Sequence, residues 1–135
     1  MSLPQPDDLT SLVLRTDFSD DAAWEAVQAA IDGADEGHAT YVSDPGYAGV
    51  TVQALADADA AAGGGEKLLY VFLADSVTMA DQEHALLAVD LYHEPGRRFR
   101  VPPRWFADIS ANLSISNMDF WEFADCVDGS GTYRG

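Results

Sequence analysis

The sequence predicts an α/β fold, with α+β as the alternative, on a single mixed sheet running β-α-β-α-β-β-β-α along the chain. Three observations carry this. LLYVFLA at 68–74 is an unbroken apolar run, the mark of a strand covered on both faces and so of a sheet centre. LVLRT at 12–16 is β-prone and leads directly into Trp24, Val27 and Ile31, which recur at helical spacing. Pro95 and Gly96 separate two β-prone runs, 85–92 and 98–101, and predict an antiparallel hairpin.

The elements follow in order. Ser19, Asp20 and Asp21 supply a cap and first-turn acids for the first helix, with Ala23, Ala30 and Ala34 on the face of Trp24. Residues 33–37 end that helix, and 39–42 form a second strand before Asp44-Pro45-Gly46-Tyr47, which fits a type II turn. Thr51 caps a second helix whose apolar stripe is Val52, Leu55 and Ala56, broken by Gly63, Gly64 and Gly65. A loop over 79–83 joins the central strand to the hairpin. Pro102 and Pro103 stop the hairpin, Trp105, Phe106 and Ile109 indicate one or two helical turns, and 112–115 reads as a link or edge strand. Ser116 and Asp119 have capping-box spacing for a last helix buried through Phe120, Phe123, Ala124 and Val127.

The final stretch, ADCVDGSGTYRG, invites comparison with a calcium loop. Aligning Gly131 at the turn position puts Asp128 and Ser130 at liganding positions but Cys126 at the first, where a soft thiol does not suit a hard cation. Gly129 is therefore read as a helix stop and Cys126 as a small core residue.

Size and composition set the outer bounds. With 135 residues and 14.5 kDa the chain is one domain, 1–135, with 1–9 expected to be flexible. No apolar run approaches membrane-spanning length. The start, MSLPQPDDLT, lacks a basic and then apolar leader pattern, and Cys126 is the single cysteine, so a cytoplasmic setting is expected. The formal charge of -16, from 23 acids against seven bases, repels nucleic acid and anionic lipid and would steer a basic partner inward; a coding bias toward Ala, Gly, Asp and Arg, with acids that keep the protein soluble, or salt adaptation gives the same composition.

LVLRTDFSDDAAWEAV, DPGYAGVTVQAL, HALLAVDL, EPGRRFRVPP and NLSISNMDFWEFAD, in that order, resemble an uncharacterised domain family of small acidic actinobacterial proteins. The resemblance spans residues 12–135 and is most specific at NMDFWEFAD. It implies one intact domain and brings no catalytic residues with it.

Chemistry has to come from the residues themselves. Asp17 and Asp75 each follow a predicted strand, and ligands of open α/β sheets bind at strand carboxyl ends. With Asp20 and Asp21 they are similar to the acid cluster of a phosphoryl-accepting receiver domain. That comparison fails because Lys67, the single lysine, precedes the third strand and a hairpin replaces the last βα repeats. Asp90 interrupts an apolar strand and needs either backbone donors or Arg98 or Arg100 across the hairpin. His84 and His93 lie at the two ends of the 85–92 strand, roughly 30 Å apart if it is unbroken, and His38 sits in a loop, so no metal site is expected. No nucleophile elbow is present, Gly63 to Gly65 precede a strand rather than a helix, and no cofactor is expected.

One local feature opposes the global charge. Arg97, Arg98, Arg100 and Arg104 cluster beside Phe99 and Trp105, with Phe99 and Val101 predicted inward and Arg98 and Arg100 outward. They are expected to neutralise nearby acids or to form a contact patch with Trp105 in an oligomer. The leading functional reading is an acidic interaction module rather than an enzyme, of inhibitor or immunity type, presenting Asp17, Asp20, Asp21, Asp57 and Asp59 to a basic protein. The alternative is a small-ligand, hydrolytic or metal-dependent phosphoryl site built from Asp17, Asp75 and Asp90.

Overall fold

In the computed structural model, which describes residues 3–135, five strands form one sheet in the order β2-β1-β3-β4-β5. These are β1 (Ser11–Arg15), β2 (Ala39–Val42), β3 (Tyr70–Ala74), β4 (Leu86–Asp90) and β5 (Arg98–Val101). β1 pairs in parallel with β2 and β3, while β4 runs antiparallel to both β3 and β5. The apolar run at 68–74 is thus the middle strand, as its two-sided hydrophobicity requires.

Helices cover both faces. α1 (Asp21–Ala34), α4 (Pro103–Ser114) and α5 (Phe120–Ala124) pack on the face carrying Val13, Phe72, Ala88 and Phe99. α2 (Val52–Ala61) covers the opposite face, where Leu12, Leu14, Leu73 and Leu87 meet Leu55 and Ala56. Strand alternation explains the division: neighbours in sequence point to opposite faces, so the same strands feed two cores. Trp24, Val27 and Ile31 of α1 are buried, each contributing roughly 2 kcal/mol of transfer free energy. Asp20 caps α1 by accepting from the Ala23 amide, and Thr51 caps α2 from the Ala54 amide, both as their sequence context predicts.

Local chemistry overrides the sequence reading in several places. The 44–47 segment is a 3-10 turn (Pro45–Tyr47) capped by Asp44, and Gly46 does not take the positive φ of a type II turn. Gly96, with φ of 93° and the Arg97 amide bonded to the Glu94 carbonyl at 2.9 Å, does build one. The expected loop at 79–83 overlaps α3 (Ser76–Ala80), nucleated by a capping box of Asp75 and Thr78. α4 runs through 112–115 almost to its end, because Ile109, Ser110 and Leu113 lie buried on its inner side. Ser116 has a φ of 56°, and the capping box of α5 is formed by Asp119 with Glu122.

The expected 85–92 strand is shorter, since Asp90 accepts from the amides of Tyr92 and Glu94 and turns the chain out of β4. α5 ends at Ala124 with Asp125 as its C-cap, short of the expected stop at Gly129, so Val127 lies beyond the helix and residues 126–135 form a return segment. Asp128 accepts from the amides of Ser130 and Thr132 and from the Ser130 hydroxyl, Gly131 takes the positive φ in place of Gly129, and the chain returns to β5. There the Arg100 amide donates to the Gly131 carbonyl and the Tyr133 amide to the Arg100 carbonyl. Cys126 is exposed, not a core residue.

At the other terminus, residues 1 and 2 of the segment expected to be flexible lie outside the described residues. Leu3 packs against the α2-side core and the Gln5 side chain donates to the Glu66 carbonyl. Among the described residues, no helix is long and apolar enough to cross a membrane.

Candidate functional site

The strand order reverses between β1 and β3: α1 carries the chain outward to β2, and α2 returns it to β3 on the opposite side of β1. That reversal leaves a crevice at the carboxyl ends of the two strands, the place where doubly wound sheets hold ligands. A cleft of about 540 Å³ lies there, lined by 16–19, 48–50 and 75–76. Asp17 and Asp75, singled out by sequence for their strand-end position, both line it.

Their environments differ. Asp17 is half-buried; one carboxylate oxygen accepts the Ser19 amide at 3.0 Å, and its carbonyl accepts the Arg15 guanidinium at 2.8 Å. Asp75 is more heavily engaged. It caps α3, and both of its oxygens accept from Arg100 at 2.9 Å, a bidentate pair formed across β4. Burial raises the Asp75 pKa, but the Arg100 hydrogen bonds, the Thr78 amide and the Arg100 charge outweigh it and hold the carboxyl below its ordinary value. A carboxylate so committed is a poor general base at neutral pH.

Arg15 is the residue that sequence reasoning passed over. It is 4% exposed, with Phe18 against its guanidinium at 4.4 Å, and donates to Asp21 at 2.7 Å. The signal was available: an arginine inside an otherwise apolar strand needs acids, and Asp17 and Asp21 follow it. Here it fixes the loop forming one wall of the cleft.

The other candidates separate. Asp90 lies at the opposite end of the sheet, 1% exposed, its carboxylate taken by the Tyr92 and Glu94 amides at 2.9 Å each. Neither Arg98 nor Arg100 pairs with it; their strand partners are Val89 and Leu87. It borders a small apolar pocket of about 100 Å³ with His93 and Phe120. Asp59, expected to be exposed with Asp57, is buried at 1% and accepts the Leu68 amide at 2.6 Å. Asp20, Asp21 and Asp57 are exposed.

Two of the four clustered arginines pair with acids. Arg97 pairs with Glu94 and Asp125, and Arg100 with Asp75. Arg98 is exposed and bonds the Gly96 carbonyl, and Arg104 stacks on Trp105 at 4.9 Å. The histidines make local contacts: His38 with Asp35, His93 with Asp119 and His84 with the Thr78 carbonyl. Among the described residues, no group of three or more His, Cys, Asp or Glu is placed to hold a metal ion.

The described residues form a mixed α/β domain with a cleft at its topological switch point. The chain belongs to a family described as a domain of unknown function, DUF6924, whose model matches residues 10–135. Among the curated proteins compared, none matches the sequence.

Proposed function

We propose that this chain is an acidic binding module for a basic protein partner, of inhibitor or immunity type, acting in the cytoplasm. One observation carries the reading: charge compensation is lopsided. Residues 1–68 hold thirteen acids against Arg15 and Lys67. Arg15 is buried, and the Lys67 ammonium is bonded to the Asp59 and Ala60 carbonyls at the end of α2. Eleven of those acids are exposed. An uncompensated field of this kind accelerates and orients association with a basic surface, and self-repulsion is its cost.

The test is a pull-down from lysate at low and at roughly 0.5 M salt, which shortens electrostatic range to a few ångströms. A variant carrying Asp8→Asn, Glu25→Gln and Asp57→Asn serves as control. One basic protein retained by the wild type, released by salt and lost with the variant is the expected result. Equal, diffuse retention by both proteins at both salts contradicts it.

A second reading, a small-ligand or hydrolytic site, draws on the convergence of Asp17 and Asp75 on the switch-point cleft. The engagement of Asp75 by Arg100 and the distance of Asp90 at the far end of the sheet weigh against catalysis there. Calorimetric titration with phosphate esters and Mg²⁺ separates the two: heat that vanishes in Asp17→Asn supports the cleft.

A further inference from the structure

The two edges of the sheet are finished differently. At β5 the chain's own tail supplies partners, since the Arg100 amide and carbonyl are both bonded to residues 131–133. At β2 the Asp7 amide and the Thr10 hydroxyl reach only the Thr40 hydroxyl, and no described residue lies along the outer backbone as the tail does at β5. The Ser11 amide donates to the His38 carbonyl at 2.9 Å, and this sets the phase of the parallel ladder. In that phase the backbone groups of Thr40 face β1, and those of Ala39 and Tyr41 face away from the sheet. No hydrogen bond within the described residues takes up the Ala39 and Tyr41 backbone groups.

An open row of donors and acceptors is a template for another strand. The charges at its two ends say which kind. Asp35 and Glu36 precede β2 and Asp44 follows it, all exposed, with no lysine or arginine between residues 16 and 66. A second copy pairing here would set these acids against their equivalents, whereas lysines or arginines on both sides of a short β-prone core would meet them favourably.

We infer that the β2 edge accepts an extended basic segment of the partner as a sixth strand, hydrogen-bonded to the backbone of Ala39 and Tyr41. This rests on the reading of the acidic half as the partner site and specifies its geometry. Backbone bonds supply alignment, and Asp35, Glu36 and Asp44 supply sign selectivity.

The test uses the whole chain and two synthetic peptides of equal charge, KKVTVTVKK and KKVTPTVKK, followed by residue-resolved amide exchange and titration at low salt. The first peptide should slow exchange at Ala39 and Tyr41 by about tenfold or more, as formation of a hydrogen-bonded strand does, and the second should not. Ala39→Pro removes an outward amide that β1 does not use, so the variant should keep its unfolding midpoint and bind both peptides alike. Equal binding of both peptides to the wild type, with Ala39 and Tyr41 still exchanging fast, overturns strand addition but leaves charge recognition intact. Binding of neither peptide overturns both readings. Protection of the edge that grows with protein concentration in the absence of peptide assigns it to a second copy, and equally overturns the inference.

Discussion

The β5 side and the β2 side of this sheet have the same task, to end a sheet in water, and solve it in opposite ways. On the β5 side, Arg97, Arg100 and Arg134 are each paired with acids: Glu94 and Asp125, Asp75, and Glu83 and Asp128. The tail lies along the strand, with Tyr133 buried among Phe99, Trp105 and Phe123. On the β2 side the strand is four residues long, no hydrogen bond among the described residues claims its outer backbone, and the surrounding acids have almost no cations to meet. Charge and hydrogen-bonding capacity are therefore neutralised at one edge and retained at the other. The difference teaches where this domain has been closed to water and where it remains available.

The largest effect should come from unfastening the closed edge. Tyr133→Ala removes an aromatic ring from between three others and frees the β5 backbone, at about 3 kcal/mol in urea unfolding. A loss below about 1 kcal/mol, the range of an ordinary surface change, would show that the tail is no part of the fold.

Arg100→Ala should follow at about 2 kcal/mol, because it leaves a half-buried carboxylate with its α3 cap as its main support. Its pH dependence has a definite sign. The folded Asp75 pKa is depressed, so the stability it contributes is present above the unfolded carboxyl value of about 3.9 and disappears as pH falls through the lower folded value. The gap between wild type and Arg100→Ala should therefore narrow below about pH 4.

Two acids of α2 sharpen the contrast between built-in and displayed charge. Asp59→Ala strands the Leu68 and Leu69 amides and should cost about 2 kcal/mol, while Asp57→Ala should stay within about 0.5 kcal/mol. Similar losses at both would erase the distinction. The smallest effect is that of salt. Screening relieves repulsion on the β2 side and weakens ion pairs on the β5 side, and with a charge of -16 the first should win by a few tenths of a kcal/mol. A fall in melting temperature on adding salt would reverse that ranking.

What the sequence made legible was local or periodic. LLYVFLA announced the central strand, Asp20 and Thr51 announced their helices, and Pro95 with Gly96 announced the hairpin, each through chemistry contained in a few neighbours. Strand ends gave Asp17 and Asp75 their place at the cleft. The misses needed distant partners or tertiary burial. α3 is five residues, too short for a periodic signal, and depends on its Asp75 cap. α4 persists through Ser110 and Asn112 because burial of Ile109 and Leu113 outweighs their weak helix propensity. Asp75 and Arg100 are 25 positions apart, and Tyr133 packs against residues from three separate elements. Asp57 and Asp59 look alike in sequence and differ only in which way α2 turns them.

The two edges of the sheet are unequal, and residue-resolved amide exchange of the free protein reads that inequality directly. The Ala39 and Tyr41 amides should exchange at nearly the rate of an unstructured chain, while the Arg100 amide, bonded to the Gly131 carbonyl, should be protected to the level of the surrounding sheet. Protection at Ala39 and Tyr41 that matches Arg100, or an Arg100 amide as fast as theirs, would contradict it.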